Sequence, residues 1–276
     1  MIPFSFSYVQ PKTLKEARET YCQSKSIGEK PMYYAGGTEI ITMGRVNSLR
    51  FDMVIDIKGI PDMQGLKTQG SRLVIGAAET LNEVICWNAF PLLSKCCKRV
   101  ASHTAQCKIT LGGNVAGTVI YHETALALLL ADAQVSLYGE KGVRKAPIRQ
   151  LFDPDISLLP GEMIVSFSID KKIASLPYVH VKHVDSEKIG YPLFTLAAIR
   201  KKDTVEVAAS GLYRYPIRLS FSVREAGTDP DAWWEAAEQG LPGLPMGDAL
   251  GSGEYRQFKF REALENTRQR LAVEAV

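Results

Sequence analysis

The sequence predicts an α+β protein in two parts, and three observations carry that prediction. Short apolar runs with strand character alternate with amphipathic helical segments up to Ile169. Beyond Lys171-Lys172-Ile173-Ala174-Ser175 the pattern changes: three strand-like runs follow one another across short polar turns, and helical segments close the chain. Such a run of strands followed by helices points to an antiparallel sheet beside helices. Finally, two Gly-Gly pairs, in Ala35-Gly36-Gly37-Thr38 and Leu111-Gly112-Gly113-Asn114, each fall where a strand-like run ends and a helix-like run begins.

Residues 4–9 alternate as a short edge strand. Thr13-Leu14-Lys15-Glu16 is a capping box, in which the Thr13 hydroxyl accepts from the Glu16 N–H and the Glu16 side chain reaches back. Leu14, Ala17 and Tyr21 continue at helical spacing until Gly28. Met32-Tyr33-Tyr34 is a strand that delivers the first glycine turn, and residues 38–46 form a short helix. Strands over residues 53–57 and 72–75 stop at Gly59 and Gly76. Thr80-Leu81-Asn82-Glu83 is a second capping box, opening a helix to Asn88; Pro91 starts another that runs to Ser102. Lys108-Ile109-Thr110-Leu111 leads into the second glycine pair, and residues 124–131 form an amphipathic helix. Residues 134–138 and 143–146 pair across the turn Gly139-Glu140-Lys141-Gly142, and residues 163–169 form a longer strand. Beyond the linker, strands cover residues 178–184, 193–200 and 204–212. Residues 220–226 suit a strand or a helix; 230–238 and 257–273 read as helices on either side of the loop 240–245.

Composition removes several classes of function. The basic residues are scattered and the net charge is only +3, which argues against a nucleic-acid binder. No apolar run approaches the roughly 20 residues that span a bilayer, and Met1-Ile2-Pro3-Phe4 has no secretory pattern, so a cytoplasmic protein is expected. Cys22, Cys86, Cys96, Cys97 and Cys107 are odd in number and lack a C-x-x-C pair, which argues against disulfides, and the close-set Cys96, Cys97 and Cys107 read as buried free thiols rather than metal ligands. His103 and His122 have no nucleophile placed beside them in a triad pattern and receive no role.

Chemistry therefore rests on the glycine turns. Glycine permits positive φ and close approach to a ligand, and N–H groups at a helix start form an anion site. Neither turn is a dinucleotide fingerprint or a phosphate loop. From the residues alone these are two candidate anion-binding turns, suited to one long, doubly charged ligand.

Ala35-Gly36-Gly37-Thr38-Glu39-Ile40 followed by Thr110-Leu111-Gly112-Gly113-Asn114-Val115 resembles the FAD-binding subunit of molybdenum hydroxylases, the family of xanthine dehydrogenase and carbon monoxide dehydrogenase medium chains. The likeness continues through Leu159-Pro160-Gly161-Glu162-Met163-Ile164, through Gly211, Pro216 and Arg218, and through Gly251-Ser252-Gly253-Glu254-Tyr255-Arg256. It implies a two-part FAD-binding domain of the vanillyl-alcohol-oxidase (PCMH) type over residues 1–172 and a small α+β domain over 177–276. It also implies site roles: Tyr33, Tyr34, Ala35, Gly36, Gly37, Thr38, Glu39 and Ile40 as the first loop over the pyrophosphate; Thr110, Leu111, Gly112, Gly113 and Asn114 as the second, with Thr118 beside it. Glu123 stands where the family has an aspartate touching the cofactor, Ile164 against the flavin and Lys182 at its edge. Val119-Ile120 replaces a family Ser-Pro pair, and Lys188 and Gly190 stand where an arginine and an aspartate are usual. Thr38 occupies the place of the histidine through which some related flavoproteins link FAD covalently, so the resemblance implies non-covalent FAD.

The function so implied is an electron-transfer subunit of a xanthine dehydrogenase-like oxidoreductase. Its partners would be a molybdenum-cofactor subunit and a 2Fe–2S subunit, with NAD+ or another molecule as acceptor. A stand-alone FAD oxidase or reductase and a non-enzymatic nucleotide-binding module are the alternatives. Trp233-Trp234 is expected to place one indole in the core and one partly at the surface.

Overall fold

In the parallel sheet at the N-terminus, β1 (Ser7–Val9) and β2 (Pro31–Tyr34) both pair with a central β3 (Met53–Asp56). The computed structural model describes residues 1–152, 157–184, 190–224 and 231–273. Parallel neighbours need crossovers, supplied here by α1 (Leu14–Ser26) and α2 (Thr38–Arg45). The first cap differs in detail from expectation. Thr13 Oγ1 accepts from the Glu16 N–H at 3.1 Å, but the Glu16 carboxylate takes the N–H of Lys12 rather than that of Thr13. At α3 (Leu81–Trp87) both halves of the box form, between Thr80 and Glu83.

The second sheet is antiparallel. It comprises β4 (Leu66–Gln69), β5 (Arg72–Gly76), β6 (Gln134–Gly139), β7 (Gly142–Pro147) and β8 (Met163–Asp170), in the order β4-β5-β8-β6-β7. β4 was not expected: it is an edge strand, Leu66-Lys67-Thr68-Gln69, with little to bury and so no apolar alternation. Between β5 and β6 the chain inserts α3, α4 (Pro91–Lys98), α5 (His103–Gln106), α6 (Leu111–Ala116) and α7 (Glu123–Leu130). The expected helix to Ser102 stops at Lys98, because Ala101 takes φ 55° and Ser102 caps α5.

The third sheet, β12-β11-β10-β9, is an antiparallel meander of β9 (Tyr178–His183), β10 (Phe194–Lys201), β11 (Thr204–Ser210) and β12 (Ile217–Ser222). The segment left open between strand and helix is strand as far as Ser222, and its residues 225–226 lie outside those described. The linker contains a one-turn helix, α8 (Lys171–Ala174), capped by Asp170. α9 (Ala232–Gly240) and α10 (Gly253–Arg268) follow; α10 begins ahead of the expected residue 257 because Ser252 caps it through the Tyr255 N–H. Trp233 is buried on Phe221, and Trp234 is half-buried under the Arg261 guanidinium.

Packing joins the two parts. The helix expected to be amphipathic over residues 124–131 is not: every residue of α7 is buried, because Ala125 to Leu130 are apolar on all sides and leave no polar face for water. One side of the third sheet, through Ala197, Ile199 and Ala208, belongs to the same core as α7. The other, through Leu196, Ala198 and Val207, packs with Trp233, Phe260 and Leu264 of α9 and α10. β10 is thus buried on both faces, which explains its continuous apolar run. Among the described residues no helix is long and apolar enough to cross a membrane.

Leu128, fully buried in α7, is the probe of this shared core. Leu128→Ala is expected to destabilise the chain by about 2–5 kcal/mol, read as a lower urea midpoint at unchanged slope.

Candidate functional site

The first glycine turn leaves β2 at Tyr34, whose carbonyl accepts from the Ile57 N–H at 2.9 Å. Gly37 then adopts φ 69° and ψ 0°, and α2 starts at Thr38 with no side-chain cap. The first N–H groups of a helix have no partner within it, so those of α2 form a donor set with a positive dipole end. A Cβ on Gly37 would lie 2.1 Å from the Tyr34 ring, and one on Gly36 would lie 1.9 Å from the Lys108 carbonyl oxygen. The space glycine clears here is filled by protein. Gly36 brings the first turn onto the backbone that leads into the second.

The second pair departs from expectation. Thr110 is the N-cap of α6, and Gly112 and Gly113 lie inside the first turn rather than ahead of it. Its donors are engaged: Leu111 N–H on the Glu79 carbonyl at 2.8 Å, Gly112 N–H on that of Ala77 at 2.9 Å, Gly113 N–H on Thr110 Oγ1 at 3.1 Å and Asn114 N–H on the Thr110 carbonyl at 2.9 Å. The second turn is therefore no outward cradle of N–H groups. Gly112 is small because a Cβ would stand 2.7 Å from that of Ala77. Gly113 is exposed and faces only the Thr110 hydroxyl within contact distance. Asn114 Oδ1 accepts from Thr124 Oγ1 at 2.6 Å, tying α6 to α7.

Glu39, in the first turn of α2, spans the gap between the two segments. Its carboxylate accepts from the Thr118 N–H at 2.9 Å and from the Thr118 hydroxyl. Ala35 and Ile40 are half-buried beside the turn. The two tyrosines behave as strand residues. Tyr33 stacks on Tyr21 at 5.1 Å and donates to the Gly161 carbonyl at 3.0 Å; burial raises its phenol pKa. Tyr34 lies under the Lys58 ammonium, 4.5 Å from the ring centroid. Ile164 is buried in β8 opposite Leu137, next to a bulge in β6.

Glu123 and Lys182, separate in the sequence reading, form one ion pair at 2.8 Å with both side chains under 10% exposed. Lys182 also donates to the Arg99 carbonyl at 2.7 Å, and Thr195 approaches Glu123 at 3.4 Å. Burial raises the Glu123 carboxyl above the ordinary 4.5, against the lowering by Lys182. Sequence reasoning missed Thr195 and Arg99. The available signal was Thr195 itself, the one polar residue in the apolar run Phe194-Thr195-Leu196-Ala197-Ala198-Ile199. Lys188 lies outside the described residues. The thiols of Cys96 and Cys97 are buried, with pKa values raised by desolvation, while Cys22, Cys86 and Cys107 are exposed. His122 packs edge-on to Phe152, and His103 lies 3.8 Å from the Cys107 sulfur.

Known proteins are similar to this chain. The chain is 29% identical over 156 residues to the carbon monoxide dehydrogenase medium chain of Hydrogenophaga pseudoflava, covering 55% of this chain and 53% of that one. It is 27% identical over 152 residues to the nicotinate dehydrogenase FAD-subunit of Eubacterium barkeri, covering 54% and 51%. The matches thus span about half the length of these curated relatives. The fold as a whole matches a chain of carbon monoxide dehydrogenase from Hydrogenophaga pseudoflava, with TM-score 0.86, 21% identity and 98% of each chain covered. It also matches quinoline 2-oxidoreductase from Pseudomonas putida 86, with TM-score 0.83, 18% identity and 98% and 97% covered. A family model, the FAD binding domain in molybdopterin dehydrogenase, matches residues 4–171. With more than half of its length inside that match, the chain belongs to this flavoprotein family, and its cofactor is FAD.

Proposed function

We propose that the chain is the FAD-binding electron-transfer subunit of a multi-subunit molybdenum hydroxylase of the xanthine dehydrogenase type. In this reading a molybdenum-cofactor subunit oxidises the substrate, a 2Fe–2S subunit delivers electrons singly, and NAD+ receives them. The observation that carries the reading is the apposition of the two turns, with Gly36 resting on the Lys108 carbonyl, Glu39 bonded to Thr118, and the start of α2 without a side-chain cap. The relatives, a carbon monoxide dehydrogenase medium chain and a nicotinate dehydrogenase FAD-subunit, support the assembly.

Bound FAD supplies the redox chemistry, accepting and passing on electrons. The chain's own residues supply binding and orientation. The N–H groups of Thr38, Glu39 and Ile40 meet the pyrophosphate at the positive end of α2. Exposed Gly113 leaves room for it. Thr110, Leu111, Gly112 and Asn114 hold that segment in place through their bonds to Ala77, Glu79 and Thr124. Ile164 is an apolar wall, and the Glu123–Lys182 pair sets the charge where the two parts meet. Thr38 offers no imidazole, so the cofactor is held without a covalent bond. In this reading the FAD domain spans residues 1–172, the second domain spans 177–276, and the protein is cytoplasmic.

The purified chain, incubated with FAD and freed of excess, is expected to show flavin absorbance that denaturation releases and NADH bleaches. Gly113→Val places a Cβ 2.8 Å from the Thr110 hydroxyl that caps α6, so its fold is checked by circular dichroism, and the folded variant is expected to lose the flavin. Full flavin content in the folded variant would remove Gly113 from the site.

The ion pair has its own test. Lys182→Met strands a buried carboxylate, and the expected loss at neutral pH is about 3–5 kcal/mol. A carboxyl whose folded-state pKa lies above its unfolded value destabilises the fold once ionised. The loss therefore shrinks as pH falls through the raised Glu123 value towards 4.5. Urea titrations at about pH 7.5 and about pH 5 should show this narrowing, and Glu123→Gln with Lys182→Met should be milder than Lys182→Met alone. An equal loss in both variants at both pH values would rule out the buried carboxylate as its cause.

A further inference from the structure

Between Glu83 and Glu123 the chain has no acidic residue, yet it carries Lys95, Lys98, Arg99 and Lys108. Those four charges exceed the net +3 of the whole protein, leaving −1 for the rest. All four side chains belong to exposed residues. Lys95, Lys98 and Arg99 stand at i, i+3 and i+4 on the end of α4, the spacing at which like charges share a face and repel. The negative end of the helix dipole offsets part of that repulsion. Among the described residues no carboxylate is ion-paired with any of the four, whereas neighbouring Lys182 is paired.

The field of this face is felt beneath it. His180 lies on β9, with its Nε2 buried and no hydrogen-bond partner among the described residues. Burial, then Lys95, Lys182 and Arg99, lower its pKa to about 4, so at neutral pH the imidazole adds no charge. The face also borders the candidate site on two sides. The Arg99 carbonyl holds Lys182, and the Lys108 carbonyl is the surface on which Gly36 rests.

We propose that Lys95, Lys98, Arg99 and Lys108 form the docking face for an acidic electron-donor protein. The proposal rests on the reading of the chain as an FAD subunit fed by an iron–sulfur partner, and it names where that partner lands. Charge complementarity selects the class. Exposed cations along an open helix end and the segment after it suit a protein surface. A single-stranded nucleic acid would call for free aromatic platforms; in this segment Trp87 packs on the core, Phe90 is buried and Tyr121 stacks on Tyr191.

The test uses the full FAD-loaded chain and a reduced plant-type [2Fe–2S] ferredoxin as the acidic donor. Each ferredoxin gives one electron, so two are oxidised for each FAD reduced, with two protons taken from water. Stopped-flow bleaching of the flavin is followed at low and high salt. The native rate should fall as salt rises, since screening shortens the reach of exposed charges. K95E/K98E/R99E should slow the low-salt rate by about tenfold or more and remove its salt dependence. K98Q/K108Q, which reverses no charge, should slow it by a smaller factor in the same direction. Unchanged rates and salt dependence in both flavin-loaded variants would overturn the proposal. So would tight binding of a DNA oligonucleotide that the triple variant loses while its ferredoxin rate stays native. A native chain that takes up no FAD fails at the earlier step, and the parent reading falls with it.

Discussion

Glu123 stands at the entrance to a helix with no face free for water. α7 is apolar beyond its first turn and is enclosed by α4, by α6 and by the third sheet. A carboxylate placed there needs a partner, because desolvation penalises its charged form. The partners come from three elements: Lys182 from β9, Thr195 from β10 and, holding Lys182 in turn, the carbonyl after α4. Lys182 and Thr195 are direct partners across the β9–β10 ladder, so they share a face. A slip of one residue in either strand would turn its polar group away from Glu123. Buried ion pairs often contribute little net stability against an apolar replacement. This one is better understood as fixing how the third sheet lies on α7, with apolar burial supplying the stability.

Around the turns, glycine works chiefly by letting backbone meet backbone. Gly36 against Lys108, Gly112 against Ala77 and Gly37 against the Tyr34 ring are three contacts that a Cβ would close. The first of them holds a crossover of the parallel sheet against the insertion of the antiparallel one. Donor placement then separates the two turns. α6 is capped by Thr110, and its early N–H groups are bonded within the protein; α2 has no side-chain cap. Open N–H donors at a helix start are therefore a property of α2 and not of α6.

Local signals in the sequence carried much of this. Both capping threonines, the hairpin at Gly139–Gly142 and the strand at Phe194 are properties of short windows, and each was legible, whereas the helix after Glu123 was legible as a helix but not as one buried on every side. β4 was not, because an exposed edge strand has no burial pattern to write into sequence. α5 and α6 were hidden by length: helices of four and six residues show too little periodicity. The site was legible as two glycine turns, but the difference between them was not. Whether an N–H is free depends on Ala77 and Glu79, more than thirty residues before Gly112. The joining of Glu123 to Lys182 is likewise a matter of topology, since nothing local to either residue specifies the other.

Glu39 shows how the two turns become one electrostatic unit. A carboxylate in the first turn of an uncapped helix is favoured by the dipole, yet it would also repel an anion arriving at the same N–H groups. Here it is turned aside. Both Thr118 donors engage it, and Gly117 makes room, since a Cβ there would stand 2.5 Å from the carboxylate oxygen. The charge still steadies α2, but its lone pairs accept from the segment after α6 rather than from the N–H groups of the helix start. The same bond crosses between the two glycine segments, so the group that turns away from the start of α2 also holds the segment after α6 against it.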